Sequence, residues 1–332
     1  MTEATTTTAS VAAANKHDGG KTLLAETAKR LCNWGKWGPE DQAGTVNYIT
    51  EEIVRDAATL VRRGKVFSLS IDYGDGGPQK GHLRRFNPMS FMLRDGDDVY
   101  ARDLAGTPQG IGGADDVLFL AAQGATHWDA LGHIFYDAKM WNGYDCRRVT
   151  SLGAELNDIA NYRDRITGRA VLLDLPRSMG VDWCQPGQGI TTEDLRACAE
   201  KQGVEVRRGD IVLLRFGQIA QCRSEGSWGD FAGGDAPGLT FDTLDWIQEH
   251  EIAGLASDTW GVEVRPNDLS FVGQPWHRVA LPQMGLLVGE IFDFEALAAD
   301  CAEDGVYEMF FSANPLPIKG SVGGPINPTA IK

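Results

Sequence analysis

Three short apolar segments in the middle of the chain decide the fold class. Residues 170–175 read AVLLDL, residues 211–216 read IVLLRF and residues 252–257 read IAGLAS. Each has the length and composition of a buried strand. The stretches between them are helical, the first with a capping pattern at Thr191 and the second over residues 241–250. The order strand, helix, strand, helix, strand predicts a parallel α/β arrangement.

The part of the chain before this unit is richer in strands and loops. Apolar segments of strand length recur at residues 66–71, 90–93 and 117–122, and we expect them to form an antiparallel portion. Residues 1–22 are small and polar and are predicted to be a disordered tail. The sequence therefore predicts one α/β domain over residues 23–332, with a mixed sheet and helices packed around it.

The charge of the chain disfavours two classes of partner. Its 332 residues carry 31 Lys and Arg against 46 Asp and Glu, a net charge of −15. Binding to nucleic acid rests on neutralising phosphates with basic side chains, and an anionic membrane surface has the same requirement. No apolar run approaches the roughly 20 residues of a membrane span, and the start of the chain lacks the features of a secretory signal. We therefore expect a cytoplasmic protein that acts on a small molecule.

Several common catalytic motifs are missing from the sequence. No two of the six cysteines lie closer than 14 residues apart, so there is no CxxC pair, and we interpret them as reduced structural thiols. The stretch 226–229, GSWG, has the wrong spacing for the nucleophile elbow of a serine hydrolase. The stretch 110–113, GIGG, lacks the third glycine and the flanks of a dinucleotide fingerprint. Chemistry based on histidine and carboxylate remains.

One segment concentrates such groups. Residues 123–133 read QGATHWDALGH and hold two of the six histidines of the chain. If the extended conformation of the preceding strand continues, His127 and Asp129 share one face and Trp128 points the other way, into packing. An imidazole and a carboxylate two residues apart on a rigid strand suit one divalent ion, such as zinc or manganese.

Two further side chains of this segment bear on the same hypothesis. Gln123 shares the face of His127 in an extended chain, and His133 lies just beyond the turn at Leu131-Gly132, near the ion but off the strand face. The alternative is a structural hydrogen bond between His127 and Asp129, with His133 unrelated to both.

The segment resembles the signature of the cyclase family of metal-dependent hydrolases, which includes bacterial kynurenine formamidase and isatin hydrolase. The family pattern is H-x-G-T-H-x-D-x-P-x-H, and this chain matches it at Thr126, His127, Asp129 and His133. It departs from the pattern at Gln123, Ala125 and Leu131, which stand in place of His, Gly and Pro. Weaker similarity to longer members extends over roughly residues 35–312.

The resemblance implies a fold, a cofactor and a set of site residues. The fold is the swivelling β/β/α-type fold of the cyclase family, and relatives are commonly homodimers or homotetramers. His133 matches the catalytic histidine. The implied cofactor is one divalent ion, Mn²⁺ or Zn²⁺, and the positions that match metal ligands are Gln123, His127, Asp129, His277 and Glu290. Because the neutral amide of Gln123 replaces an imidazole, we expect one ion rather than two.

Aromatic residues near these positions indicate the shape of a substrate. We expect Phe135, Trp141 and Trp260 to form the wall of a pocket for an aromatic or flat cyclic molecule. Glu263 and Arg265 flank Val264, and either a site role or a structural role is open for both.

The sequence thus predicts a metal-dependent hydrolase. The resemblance implies that it cleaves an amide or a lactone, such as an aryl formamide or a small ring, and that His133 moves the proton of a metal-activated water. Two alternatives stay open: a metal-dependent cyclase or dehydratase with a polyketide-like carbonyl substrate, and a non-catalytic relative in which Gln123 marks decay of the site. The Gly-rich stretch 222–238 is either a disordered surface loop or a mobile lid over the pocket.

Overall fold

A nine-stranded mixed sheet forms the centre of the computed structural model, which describes residues 19–101, 112–269 and 272–332. Along the chain the strands are β1 (Val66–Ser68), β2 (Met89–Arg94), β3 (Asp115–Phe119), β4 (His127–Asp129), β5 (Val149–Thr150), β6 (Gly153–Ala154), β7 (Thr167–Asp174), β8 (Gly189–Ile190), β9 (Ile211–Arg215), β10 (Gly238–Leu239), β11 (Gly254–Ser257), β12 (Leu287–Glu290), β13 (Glu308–Ser312), β14 (Gly323–Pro325) and β15 (Thr329–Ile331). The central sheet has the order β1-β15-β13-β7-β9-β11-β12-β4-β14, and the remaining strands form three short pairs.

The helices pack around this sheet. They are α1 (residues 19–30), α2 (Glu51–Ala58), α3 (Gly96–Ala101), α4 (Leu175–Met179), α5 (Thr192–Gln202), α6 (Gln218–Glu225), α7 (Thr243–Glu249), α8 (Pro275–Val279) and α9 (Glu295–Asp304). Strands β7, β9, β11 and β12 are parallel to one another, and helices connect them. The predicted α/β class with a mixed sheet is confirmed. Thr191 caps α5 with the predicted capping box, and Gly203 ends that helix in a left-handed conformation.

The antiparallel part of the sheet differs from the prediction. It comes from β1 and β4 together with the three C-terminal strands β13, β14 and β15. Strands β2 and β3 instead pair with each other in a separate two-stranded hairpin. The predicted strands at residues 90–93 and 117–122 therefore lie in this hairpin or next to it and not in the central sheet.

The central strands are buried on both faces. Val171 and Leu173 of β7 pack in one apolar cluster, whereas their neighbours Ala170 and Leu172 pack in a second cluster on the opposite face. A strand covered by helices and loops on both sides needs apolar residues at every position, and this explains the unbroken apolar segments of the sequence. Strands β9, β11 and β12 are buried along their whole length, and in β7 only Thr167 is half-buried.

The N-terminal boundary also differs from the prediction. Residues 1–18 of the predicted tail lie outside the described residues, but residues 19–22 already belong to α1. Leu24 and Ala28 pack into the core, and the helix that carries them begins at residue 19. The division into a tail and one domain stays a prediction.

Two further predictions concern the cysteines and the length of the helices. All six cysteines lie in the described part of the chain and are unpaired thiols. Among the described helices, none is long and apolar enough to cross a bilayer.

The close packing around β12 gives a test of the fold. A Cβ atom on Gly289 would lie 2.5 Å from the ring of Trp128 and 2.7 Å from that of Phe292. We expect Gly289→Ala to lower the free energy of unfolding by about 1–3 kcal/mol, since overpacking forces buried rings to move. Urea denaturation measures this change. The control is Gly74→Ala, whose added methyl group meets no atom within 4 Å and should change stability by less than about 0.5 kcal/mol. Equal effects of the two substitutions would contradict the packing described here.

Candidate metal centre

The site is built on the short strand β4, which lies between β12 and β14 and runs antiparallel to both. The register of β4 and β12 places His127 directly opposite Glu290, and Trp128 opposite Gly289. Side chains of directly opposed residues are neighbours on one face of a sheet, with about 5 Å between their Cβ atoms. The register therefore brings Glu290, which is distant in sequence, next to His127.

The chain does not reach β4 in the extended conformation that the sequence suggested. Strand β3 ends at Phe119, and a turn follows in which the amide of Gly124 donates to the carbonyl of Ala121 at 2.8 Å. Gln123 therefore does not share the face of His127 by strand alternation. A Cβ at Gly124 would lie 2.8 Å from the carbonyl oxygen of Phe86, so a side chain would not fit at this turn.

Within β4 the predicted alternation is confirmed. His127 and Asp129 point to one face, while Trp128 points to the other and packs edge-on against Phe292 with 5.1 Å between ring centroids. The indole N–H of Trp128 donates to the carbonyl of Ala313 at 2.8 Å. Trp128 thus anchors the strand in the core and fixes the direction of the two polar side chains.

Three buried side chains converge on one point. The Nε2 atom of His127 lies 3.4 Å from Oδ1 of Asp129 and 3.5 Å from Oε2 of Glu290. One ligand atom from each of these three residues lies within 4.8 Å of the others. Two ligands bound to a tetrahedral ion at 2.0–2.2 Å lie about 3.3–3.6 Å apart, so the observed separations match those around a metal.

Two of the potential metal-ligating atoms at this point have no hydrogen-bond partner in the protein. Nε2 of His127 and Oδ1 of Asp129 are buried and make no hydrogen bond. Orphaned buried polar atoms are rare in native proteins, and an ion is one of the partners that satisfies them. The other ring nitrogen of His127, Nδ1, bonds to the carbonyl of Ala125 at 2.8 Å, which directs the Nε2 lone pair to the centre of the group.

The electrostatics of the group also favour a cation. Burial lowers the pKa of His127, but the carboxylates of Asp129 and Glu290 outweigh burial and raise it to about 9. The same two carboxylates would attract a divalent ion to the position that a proton takes otherwise. The residues present therefore fit a divalent metal such as zinc or manganese.

His277 and Glu263 form a second layer behind Glu290. Nε2 of His277 lies 3.1 Å from Oε1 of Glu290, and its Nδ1 lies 2.5 Å from Oε1 of Glu263. Burial lowers the pKa of His277, but these two carboxylates raise it to about 10. Because both of its nitrogens have partners, His277 orients Glu290 in this arrangement, and its role as a direct ligand stays a prediction.

His133 lies at the edge of the group. Its Nε2 atom is 3.7 Å from Oδ1 of Asp129, and its side chain is 20% exposed, so it faces the cavity rather than the core. Burial holds the pKa of His133 below its usual value despite the nearby Asp129. The amide nitrogen of Gln123 lies 3.4 Å from Nδ1 of His133, so Gln123 contacts the predicted catalytic histidine. Ligation of a metal by Gln123 stays a prediction.

A small cavity of about 20 Å³ opens beside the group. This volume is enough for about one water molecule. Among the residues that surround it are Asp129, His133, Glu290 and Trp260. Trp260 therefore lines this cavity, and its role as the wall of a substrate pocket stays a prediction.

The other two predicted wall residues lie elsewhere. Trp141 is fully buried in the second core cluster, where its indole N–H donates to Asp41 at 3.0 Å. Phe135 is 40% exposed, and its neighbour Ile134 lines the cavity instead. Sequence proximity to His133 could not distinguish these positions, because the direction of each side chain depends on the turn after β4.

The Gly-rich stretch 222–238 meets a second Gly-rich loop, residues 74–81, beside Trp260. Trp228 donates its indole N–H to the carbonyl of Gly76 at 2.8 Å, and Phe231 joins Trp260 in a third apolar cluster. The stretch 222–238 thus packs on residues 74–81, and its Phe231 belongs to the same apolar cluster as Trp260. Its function as a lid stays a prediction.

Sequence reasoning missed two contributors to this site. Gln79 is buried and links Trp260 to the turn before β4: its amide oxygen accepts from the indole N–H of Trp260 at 3.2 Å, and its amide nitrogen donates to the carbonyl of Gly124 at 3.0 Å. Arg85 lines the cavity beside His133. Both lie in loops without periodicity, and the only signal for Arg85 is a pair of arginines after a Gly-rich stretch in an acidic chain.

The mixed α/β sheet presents a buried group of one histidine and two carboxylates beside a cavity. This group is the candidate metal centre of the protein. The family model described as "Putative cyclase" matches residues 34–264, which is more than half of the chain. The chain belongs to the cyclase family, as its resemblance to that signature predicted.

Solved structures agree with this assignment. A structure described as a novel cyclase is 37% identical, covers 92% of this chain and 99% of its own, and has a TM-score of 0.82. Isatin hydrolase A from Ralstonia solanacearum is 15% identical, with coverage of 81% and 92% and a TM-score of 0.60. An isatin hydrolase bound to the product analogue thioisatinate is 16% identical, with coverage of 85% and 98% and a TM-score of 0.57. The isatin hydrolases share the fold. No curated protein matches this chain significantly.

The convergence of the three side chains predicts a metal-binding phenotype. Titration calorimetry with Mn²⁺ or Zn²⁺ should give about one ion per chain for the natural protein, and binding should raise its melting temperature. Asp129→Asn should weaken binding at least about tenfold, because it removes a charged oxygen ligand and leaves the imidazole. The control is His250→Ala, which removes a histidine whose ring contacts Trp246 on α7. Unchanged metal affinity in Asp129→Asn would contradict the assignment.

Proposed function

We propose that this protein is a metal-dependent hydrolase that cleaves the amide bond of an aryl formamide or small cyclic amide, or the ester bond of a lactone. The observation that supports the proposal most strongly is the buried group of His127, Asp129 and Glu290 beside a cavity, in which Nε2 of His127 and Oδ1 of Asp129 have no hydrogen-bond partner. Membership of the cyclase family and the fold shared with isatin hydrolases support it.

A divalent ion held by these three residues would supply Lewis acidity and lower the pKa of water toward about 7. Asp129 and Glu290 would balance the charge of the ion, and His127 would supply a neutral nitrogen donor. His277 and Glu263 hold Glu290 from behind, so that its Oε2 atom stays directed at His127. The protein thereby fixes the position at which water and a carbonyl group meet.

His133 is suited to the proton transfers of this reaction. It lines the cavity, and burial favours its neutral form, which can accept a proton. In the reaction the oxygen of water bonds to the carbonyl carbon while His133 accepts a proton at Nε2. The bond from the carbonyl carbon to nitrogen or oxygen then breaks, and His133 returns the proton to the leaving amine or alkoxide.

The size of the cavity sets a condition on this reaction. A volume of about 20 Å³ holds a water molecule but no substrate, since ligand pockets usually measure about 300–1,000 Å³. The side chains that close it include those of Arg85, Arg265 and Gln274. These side chains would have to move before a substrate binds.

The role of His133 gives the test of the proposal. His133→Ala should keep the bound metal and lower kcat by about 10²–10⁴-fold, because a general base is lost while the ligands remain. Elemental analysis measures the metal, and hydrolysis of a panel of formamides, lactones and cyclic imides measures kcat. The His250→Ala variant serves as the control and should match the natural protein in both.

Two outcomes would contradict the proposal. Loss of the metal in His133→Ala would mean that His133 is a metal ligand and that another residue acts as the general base. Product mass provides the second, because hydrolysis adds the mass of one water. A product lighter by one water would instead assign the protein to the dehydratases.

A further inference from the structure

Two arginine side chains lie over the same indole ring at the cavity. The guanidinium carbon of Arg85 is 4.8 Å from the ring centroid of Trp260, and that of Arg265 is 5.3 Å from it. Both arginines line the cavity that His133 and Glu290 also line. They reach this place from distant parts of the chain, Arg85 from the loop before β2 and Arg265 from the loop after β11.

Neither guanidinium has a close carboxylate partner. Nη1 of Arg85 is buried without a hydrogen bond, and the carboxylate oxygen nearest to it, Oε2 of Glu290, is 4.0 Å away. Nη2 of Arg85 makes one long contact of 3.4 Å to Nε2 of His133, which accepts from it when the imidazole is neutral. Among the described residues, the side chain of Arg265 makes no ion pair or hydrogen bond to a protein group. Nη1 of Arg85 and the guanidinium of Arg265 are therefore available for a ligand beside the reactive position.

Two other arginines of similar burial form close ion pairs with carboxylates. Arg169 lies 2.5 Å from an oxygen of Asp210, and Arg215 lies 2.9 Å from Asp174 and 2.8 Å from Glu295. Arg85 is equally enclosed, with a side chain only 11% exposed, yet it lacks such a partner. Leaving a charged donor buried and unpaired is costly, and the cost is offset when an anion binds.

The charges around the cavity point to an anion of one negative charge. Three carboxylates line it, those of Asp129, Glu263 and Glu290, together with the two arginines. Counting these three carboxylates, the two arginines and the divalent ion of the proposed function, positive charges exceed negative charges by one. The local charge is thus opposite to the net charge of −15 of the whole chain.

We propose that Arg85 and Arg265 form a carboxylate clamp, so that the substrate of this enzyme is a small amide or lactone bearing one carboxylate. The clamp rests on the proposed function for the scissile bond. Arginine is suited to this task because its planar fork donates two parallel hydrogen bonds to a carboxylate. The ring of Trp260 holds both forks in place, and Gln79 fixes that ring through its indole N–H. A neutral analogue would leave the forks unpaired, and this discriminates against it.

Direct binding tests the clamp without requiring turnover. Benzoate and benzamide are matched probes, because they share size and shape and differ in charge. Titration calorimetry is done on the protein as purified and after loading with Mn²⁺. The metal-loaded natural protein should bind benzoate at least about tenfold more tightly than benzamide, because charge-assisted hydrogen bonds to arginine contribute that much or more.

Arg265→Met is the decisive variant, because the side chain of Arg265 contacts none of the three residues of the metal group. It should lower benzoate affinity about tenfold or more while leaving benzamide affinity and metal content unchanged. Arg265→Lys keeps the charge but loses the fork and should recover only part of the affinity. Arg85→Met should behave as Arg265→Met, with its metal content measured alongside because Arg85 lies near Glu290.

Arg208→Met is the matched control. Arg208 also lies over an aromatic ring, that of Tyr48 at 5.1 Å, and it pairs with Glu251, which does not line the cavity. The substitution removes the same charge and the same type of ring contact, and benzoate affinity should stay at the natural value. A general effect of net charge would lower affinity in this variant as well.

The results separate the clamp from the hydrolase. Equal affinity for benzoate and benzamide, no binding of benzoate, or full benzoate affinity in Arg265→Met would each overturn the clamp. A protein that hydrolyses neutral amides with bound metal but shows no preference for benzoate would overturn the clamp and leave the proposed function intact. A protein that shows the predicted benzoate pattern but hydrolyses no compound of the panel would support the clamp and contradict the hydrolase.

Discussion

The site depends on the pairing of two short strands. Strand β4 has three residues and β12 has four, and their antiparallel register sets His127 opposite Glu290. A shift by one residue would turn His127 and Asp129 into the core and Trp128 toward the cavity. The register is held by contacts outside the ladder. Trp128 packs in the space that Gly289 leaves free, and Thr126 donates its hydroxyl to the carbonyl of Ile291 at 2.5 Å.

This pairing places polar groups where they are costly without a ligand. A histidine and two carboxylates lie in a buried environment, and the two closest donor atoms make no hydrogen bond. The separations of 3.4 Å and 3.5 Å are too long for good hydrogen bonds and suitable for ligands around one ion. The surrounding residues orient the metal-ligating side chains and line the cavity beside them. Glu263 and His277 orient Glu290, and both line the cavity together with His133 and the two arginines.

The sequence predicted the parts of this arrangement that depend on local pattern. Strand alternation placed His127 and Asp129 on one face, and the apolar segments of β7, β9 and β11 predicted the parallel part of the sheet. Glu290 and His277 came only from family resemblance, because no local pattern reveals which distant strand pairs with β4. The turn at residues 121–124 was missed since its glycine and small residues also fit an extended chain. Trp141 and Trp260 look equivalent in sequence, and only the fold shows that one fills the core and the other lines the cavity.

The central claim is that His127, Asp129 and Glu290 hold one divalent ion. The most direct measurement is a crystal structure of the protein grown with Mn²⁺, with diffraction data recorded on both sides of the manganese absorption edge. We expect one strong anomalous peak that lies about 2.0–2.3 Å from Nε2 of His127 and from one oxygen each of Asp129 and Glu290. A map with no anomalous peak among these three side chains, or with the peak bound elsewhere, would contradict it.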